Sequence, residues 1–254
     1  MRRATWSAAV AVLLLSPLAA RAEDDKEARA VIDRAVKALG GAEKLAPLQG
    51  VTFRTKGQVT VNDFKADLSG DAAVQGQERY RWSLEISAMG RTESGVLILD
   101  GDKGWTRGDG QQKANDIPKD FVPMLRADFG AFRVAQQLTP LLDKEVKLSH
   151  LGEMKINEQQ PAVGVKVTRK DMPDLDFWFD KQTGLPLRVQ FRVKEGDQGT
   201  ETDHAYDFAD FKEFNGVKQF TKVTLRRDDK PMMELELSDF QLSEKVDDSL
   251  FAKP

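Results

Sequence analysis

The sequence predicts a mainly β protein, built as one antiparallel sheet with a helix at the start of the chain and a second helical region in its middle. Beyond Gly50, apolar residues recur at every second position in one segment after another, and short turns rich in Gly, Asn and Asp separate these segments. Such short connections indicate antiparallel pairing, because parallel strands require crossovers of about a dozen residues or more. Two stretches, 24–39 and 118–143, instead repeat apolar residues at helical spacing.

Residues 1–22 have the pattern of a secretory signal peptide, which is removed from the mature protein. Arg2 and Arg3 give a basic start, residues 8–15 are apolar without interruption, and Ala20 and Ala22 supply the small residues that a signal peptidase requires. The apolar run is shorter than the roughly 20 residues that span a bilayer, so cleavage is favoured over the alternative of an uncleaved membrane anchor.

We therefore expect the mature chain to begin at Glu23, and residues 23–254 to form a single domain. The chain has no cysteine, which excludes a lipid-modified cysteine at the cleavage point, a disulfide framework and a thiol nucleophile. The expected location is the periplasm or another extracytoplasmic compartment, with the protein soluble after signal peptide cleavage.

The first element of the mature chain is an amphipathic helix over residues 24–39. Asp24 or Asp25 can cap its first amide groups, and Gly40-Gly41 permits the left-handed conformation that ends a helix. Its apolar residues recur at helical spacing: Ala28, Val31, Ile32, Ala35 and Leu39.

The period changes to two after this helix, which predicts strands. The first predicted strand ends in a tight turn at Asn62-Asp63, and a later hairpin has its turn at Glu195-Gly196. The predicted strands cover residues 51–61, 80–86, 96–99, 163–168, 175–179, 187–193, 204–208, 217–225 and 233–237.

Residues 118–143 interrupt the strands with apolar residues that fit helical spacing better than alternation. Pro123 and Gly130 predict two short helices with a bend between them.

The chemical inventory does not favour an enzyme. His150 and His204 are far apart in sequence and have no metal-ligand spacing, and both are interpreted as incidental strand or surface residues. Asp171, Asp174 and Asp176 could bind a hard cation, but they lack the glycine and terminal glutamate of an EF-hand loop and are interpreted as a solvated hairpin end. An esterase or metal hydrolase is kept as an alternative of low weight, and no metal or cofactor is expected.

The net charge of −3 excludes the electrostatic pattern of a nucleic-acid-binding protein.

The apolar residues are more informative about function than the charged ones. Leu175, Phe177 and Phe179 share one face of a strand and Trp178 lies on the other, while the next strand is expected to place Leu187, Val189, Phe191 and Val193 together. A sheet with an apolar face must be covered. The two helical segments either fill that space completely or leave a cavity for an apolar guest, and both interpretations remain open.

Four stretches establish a resemblance. Residues 177–189, FWFDKQTGLPLRV, resemble the hairpin of the LolA-like lipoprotein-carrier superfamily, in which an aromatic strand is followed by Asp-Lys and Thr-Gly-Leu-Pro. Residues 99–105, LDGDKGW, resemble the turn before a short tryptophan strand in that superfamily. Residues 210–217, DFKEFNGV, resemble its late hairpin, and 247–254, DDSLFAKP, resemble a common ending.

The resemblance implies a half-barrel: a curved antiparallel sheet of about eleven strands, with the N-terminal helix and a mid-chain helical lid at 118–143 on its concave side. It implies a carrier for a lipid or the acyl chain of a lipoprotein, and we expect no catalysis and a monomeric chain. The alternative is an envelope module that binds a protein partner, as sensor or scaffold, with a filled half-barrel. The residues expected to line a hydrophobic cavity are Trp82, Leu84, Phe129, Phe132, Phe177, Phe179, Val189 and Phe191.

Overall fold

The structure is a computed structural model that describes residues 17–61, 64–170, 172–194 and 199–254. In these ranges the chain forms one sheet of thirteen strands, with antiparallel pairing between neighbours. The strands are β1 (Gly50–Val61), β2 (Phe64–Gln75), β3 (Arg79–Ala88), β4 (Arg91–Asp100), β5 (Lys103–Gly108), β6 (Asn115–Asp116), β7 (Lys147–Ile156), β8 (Gln160–Thr168), β9 (Leu175–Asp180), β10 (Pro186–Lys194), β11 (Glu201–Phe214), β12 (Val217–Arg227) and β13 (Lys230–Ser243).

The strand order is β6-β5-β4-β3-β2-β1-β13-β12-β11-β10-β9-β8-β7, so β6 and β7 are the two edges and the sheet is open. The pairing of β1 with β13 joins the two halves of the meander at the centre of the sheet. The expected fold class, a mainly antiparallel sheet with helices at the start and the middle, is confirmed. Residues 64–75 and 147–156 were not predicted as strands. The first carries small residues such as Ala66 and Ala72, and in the second few residues are buried, so the alternation is weak.

In the described part of the chain, three helices accompany the sheet: α1 (Pro17–Leu39), α2 (Ala42–Leu45) and α3 (Val122–Gln137). Short 3-10 turns lie at Thr139–Leu142 and Asp248–Phe251. Helix α1 contains the predicted helix and begins seven residues before it, at Pro17. Most of the predicted signal peptide lies outside the described residues, as do the predicted turns at 62–63 and 195–196. Within the described ranges, no helix has the length and apolarity needed to cross a membrane.

The prediction of two short helices at 118–143 was wrong, because α3 is continuous from Val122 to Gln137. Pro123 lies in its first turn, where the missing amide hydrogen costs nothing. Gly130 lies inside this continuous helix, where the lack of a side chain allows Met172 to pack closely against it. A Cβ at Gly130 would lie 2.8 Å from Cε of Met172. The helix ends at Leu138, whose φ of 56° is left-handed.

Residues directly opposite each other in antiparallel strands share a face. Phe53, Ala72, Trp82 and Leu97 therefore form one row, on what we call the inner face, the face that carries the helices. Helix α1 lies against β7, β8 and β12, and α3 lies against β10. The main hydrophobic core is buried between these helices and the inner face.

The outer face carries smaller apolar clusters. Trp178 packs there with Ile156, Ala162 and Leu187. The sequence placed Leu187 on the same face as Val189, and this was wrong. The pairing of β10 with β9 shifts register between Pro186 and Arg188, and this bulge turns Leu187 to the outer face.

Candidate functional site

A cavity of about 230 Å³ lies between α3 and the inner face of the sheet. Its walls come from both layers, because α3 presents residues at positions i, i+3, i+4 and i+7 on one side. The helix contributes Leu125, Asp128, Phe129 and Phe132. The sheet contributes mainly apolar side chains from strands that are distant in sequence, among them Phe53, Tyr80, Trp82, Leu84, Leu97, Tyr206, Leu225, Met233 and Leu235.

Aromatic contacts fix the two phenylalanines of the helix. The ring of Phe129 stacks on Tyr80, with centroids 5.1 Å apart. The ring of Phe132 meets Phe53 at 6.0 Å and packs edge-on against Phe220 at 5.2 Å. Such pairs add about 0.5–1.5 kcal/mol each beyond the burial of their area. The helix is therefore held over the cavity by rings that also form its wall.

A buried carboxylate, that of Asp128, lies in this mainly apolar wall. The side chain of Asp128 accepts a hydrogen bond from Nδ1 of His204 at 2.8 Å, and both residues are buried. Tyr206 lies beside Asp128, and its pKa is raised well above the ordinary value by burial and by the neighbouring carboxylate. The Tyr206 hydroxyl therefore keeps its proton. We call Asp128, His204 and Tyr206 the polar corner of the cavity.

The C-terminal half of α3 is fixed to the body of the protein. The guanidinium of Arg133 donates to the carbonyl oxygens of Leu48 at 2.8 Å, Gln49 at 3.2 Å and Gly76 at 3.3 Å. Burial lowers the pKa of Arg133 to about 10. Gln137 adds a bond from Nε2 to the carbonyl oxygen of Leu45 at 3.0 Å.

The N-terminal half of α3 has fewer anchors. Besides the bond between Asp128 and His204, Arg126 forms an ion pair with Asp102 at 2.5 Å. Asp102 is largely exposed, and exposed ion pairs contribute little, about 0–1 kcal/mol.

The sequence-predicted site residues divide into two groups. Trp82, Leu84, Phe129 and Phe132 line the cavity. The other four belong to the buried core beside it and are outside the cavity wall: Phe177, Phe179, Val189 and Phe191. The rings of Phe177 and Phe179 stack on each other at 5.8 Å.

Sequence reasoning missed the polar corner. His204 was interpreted as incidental, but it is buried against Asp128, from which it is 76 residues distant. The available signal was Asp128 itself, a carboxylate on the apolar side of a helix between Leu125 and Phe129. His150 is partly exposed, with its Nδ1 3.6 Å from Glu27. Among the described residues, no group of three or more His, Asp or Glu side chains is placed to hold a metal ion.

The antiparallel sheet with helices on its inner face gives the class of fold. Comparison with solved structures shows which fold of this class the chain has. A LolA superfamily protein from Nitrosomonas europaea superposes with a TM-score of 0.54 and 13% identity, over 89% of this chain and 97% of that one. A putative outer membrane lipoprotein-sorting protein domain from Vibrio parahaemolyticus superposes with a TM-score of 0.54 and 13% identity, over 90% of this chain and 97% of that one. A DUF1329 family protein from Desulfovibrio piger superposes with a TM-score of 0.57 and 15% identity, over 88% of this chain and 96% of that one.

No protein-family model matches the chain, and no curated protein matches it by sequence. At such low identity the structural matches show the fold alone. The chain thus has a LolA-like fold, and the resemblance inferred from its hairpins is confirmed at that level.

Proposed function

We propose that this protein is an extracytoplasmic binding or carrier protein for a hydrophobic ligand, a lipid or the acyl chain of a lipoprotein. Residues 23–254 form the working domain once residues 1–22 are removed, α3 is its lid, and no catalysis is involved. The observation that carries the proposal is the cavity under α3, whose wall is apolar apart from a few polar side chains and is built from both the lid and the sheet. Ligand sites typically combine such a wall with a small number of placed polar groups.

The volume of the cavity limits the size of ligand that fits with α3 in the position described above. An apolar cavity of about 150 Å³ binds benzene. In proportion, 230 Å³ takes about nine carbon atoms. Ligand pockets usually measure about 300–1,000 Å³, so a long acyl chain requires α3 to move. The N-terminal half of α3, held by the Phe129–Tyr80 stack and the Asp128–His204 hydrogen bond, is the part that moves, pivoting on the segment that Arg133 and Gln137 fix.

The fold supports this proposal independently of the cavity. One protein of the same fold is described as an outer membrane lipoprotein-sorting protein domain. A carrier of this kind works outside the cytoplasm, which agrees with the signal-peptide pattern of residues 1–22.

The first experiment is native mass spectrometry of the protein purified from its own host, followed by organic extraction and identification of any lipid. The second is titration with an uncharged, environment-sensitive acyl dye, for which we expect a micromolar dissociation constant or lower. The diagnostic variant is Ala72→Leu, because Ala72 lies in the cavity wall and a larger apolar side chain there occupies the space of the ligand. Dye affinity should fall by about tenfold or more, roughly 1.4 kcal/mol, while the protein remains folded.

A matched control is Phe64→Ala. Phe64 is 61% exposed and lies outside the cavity wall, so its removal should leave dye binding unchanged. If the wild-type protein binds no dye and carries no lipid, the carrier function is wrong. The filled half-barrel that binds a protein partner then becomes the better account.

A further inference from the structure

We propose that the polar corner selects the ligand's head group: the cavity accepts an amphiphile whose head donates a hydrogen bond and carries no negative charge, and it rejects a free fatty-acid carboxylate. This inference rests on the proposed function, and it names the chemical class of ligand for the same cavity.

The first step is the charge of the wall. Two charged residues contribute to it, Asp128 and Arg81. The guanidinium of Arg81 turns away from the cavity, since it donates to the carbonyl oxygen of Leu250 and to the hydroxyl of Ser83. Asp128 is therefore the charged group that a ligand meets, and it is 91% buried, with 9% of its surface exposed.

The second step is the hydrogen-bonding capacity of Asp128. A carboxylate accepts hydrogen bonds at about four lone-pair positions and donates none. His204 donates to one oxygen of Asp128, and even with the Tyr206 hydroxyl beside it as a second donor acceptor capacity remains toward the cavity. A hydroxyl, amide or ammonium head can use that capacity.

The third step is the cost of a wrong head group. A ligand carboxylate beside Asp128 places two like charges together in a site with little water, where their repulsion is far stronger than in bulk water. The nearby cation Arg133 does not relieve this, because its guanidinium is committed to the backbone carbonyls of Leu48, Gln49 and Gly76 outside the wall. An amide-linked acyl chain carries no such charge and can donate its N–H to Asp128; an ester-linked chain carries no such charge but has no donor to offer.

The test compares decanol, decylamine and decanoate as competitors of the acyl dye, at about pH 8, where a carboxylic acid is fully ionised. These ten-carbon chains are close to the roughly nine carbon atoms that the cavity can hold. The wild-type protein should bind decanol and decylamine roughly tenfold or more tightly than decanoate. Asp128→Asn should reduce that ratio by about tenfold. The matched control Asp174→Asn removes the same charge at an exposed site outside the wall and should preserve the ratio.

The outcomes separate the two proposals. If none of the three chains nor the dye binds, the proposed function fails. If all three bind equally to the wild type, or if Asp128→Asn keeps the wild-type ratio, the cavity is real but the selection by Asp128 is overturned. If Asp128→Asn does not fold, Tyr206→Phe replaces it. That variant removes the hydroxyl beside Asp128 and should increase the preference for decylamine over decanoate by severalfold, and an unchanged preference would overturn the inference.

Discussion

The turn between β9 and β10 offers a sharp test of how the sheet is joined to α1. Gly184 has a φ of +76°, and a Cβ there would lie 3.2 Å from Cγ and 3.4 Å from the carbonyl oxygen of Arg34. The side chain of Arg34 also donates to the carbonyl oxygens of Lys181 at 2.5 Å and Gln182 at 2.8 Å. A substitution at Gly184 therefore strains the backbone and also presses the turn against α1.

The cost of backbone strain and the cost of the contact with α1 can be separated by comparison with a second glycine of similar φ. Gly90 has a φ of +75°, but an added Cβ would meet nothing within 4 Å. The left-handed conformation costs an L-residue about 1–2 kcal/mol, so Gly90→Ala measures this cost alone. Gly184→Ala should cost about 1 kcal/mol more than that, because of the tight contact with Arg34. Gly184→Val, with its branched side chain, should be the least stable of the three.

The assay is thermal unfolding followed by circular dichroism. For a chain of this size, 1 kcal/mol corresponds to roughly 2–4 °C in Tm. We therefore expect a loss of roughly 2–8 °C for Gly90→Ala and a larger loss for Gly184→Ala. Equal losses at the two positions would show that the turn does not press on α1. An unchanged Tm in both variants would refute the backbone argument itself.

Three other predictions concern charge and processing. Burial raises the pKa of Asp180, but the hydrogen bonds from the Thr183 amide, the Gln160 side chain and the Gln182 amide outweigh this and lower it overall. Its contribution to stability is thus present above about pH 4 and is lost as the pH falls through the lowered pKa, so Asp180→Asn should unfold with a weaker pH dependence in acid urea titrations. Asp207 accepts from both Arg188 and Arg226 in a largely buried group of three side chains. Asp207→Asn should cost about 1–3 kcal/mol in denaturant unfolding, whereas Asp203→Asn, at an exposed ion pair with Arg192, should cost no more than about 1 kcal/mol. N-terminal sequencing of the protein secreted by its host should begin at Glu23, and a retained Met1 would contradict cleavage.

Much of the fold could be predicted because its signals are local. The alternation of Phe53, Thr55 and Gly57 in β1, and the aromatic strand before Thr183-Gly184, depend on neighbours in the chain. The same holds for the helical spacing at 24–39. Strand β2 was missed because Ala66, Gly70 and Ala72 give too little apolar contrast, although its pairing with β1 is continuous from Gly50 to Val61.

The candidate site was predicted only in part, because it depends on registers between distant strands. Trp82 and Leu84 were identified as apolar strand residues, and Phe129 and Phe132 as apolar residues of the helical segment 118–143. The pairing of β1 with β13 brings Leu235 and Leu237 to the same wall, and no local pattern specifies that pairing.

The sequence by itself determined the antiparallel class, the places of the helices and the apolar face, since backbone period and turn chemistry are properties of adjacent residues. Only the tertiary structure decided which apolar residues border a cavity and which are filled core. It also decided that Asp128 meets His204, since a buried carboxylate and imidazole 76 residues apart pair only once helix and sheet are packed. The physical reason is that a cavity is what packing leaves unfilled, and this depends on the volumes of all the layers together.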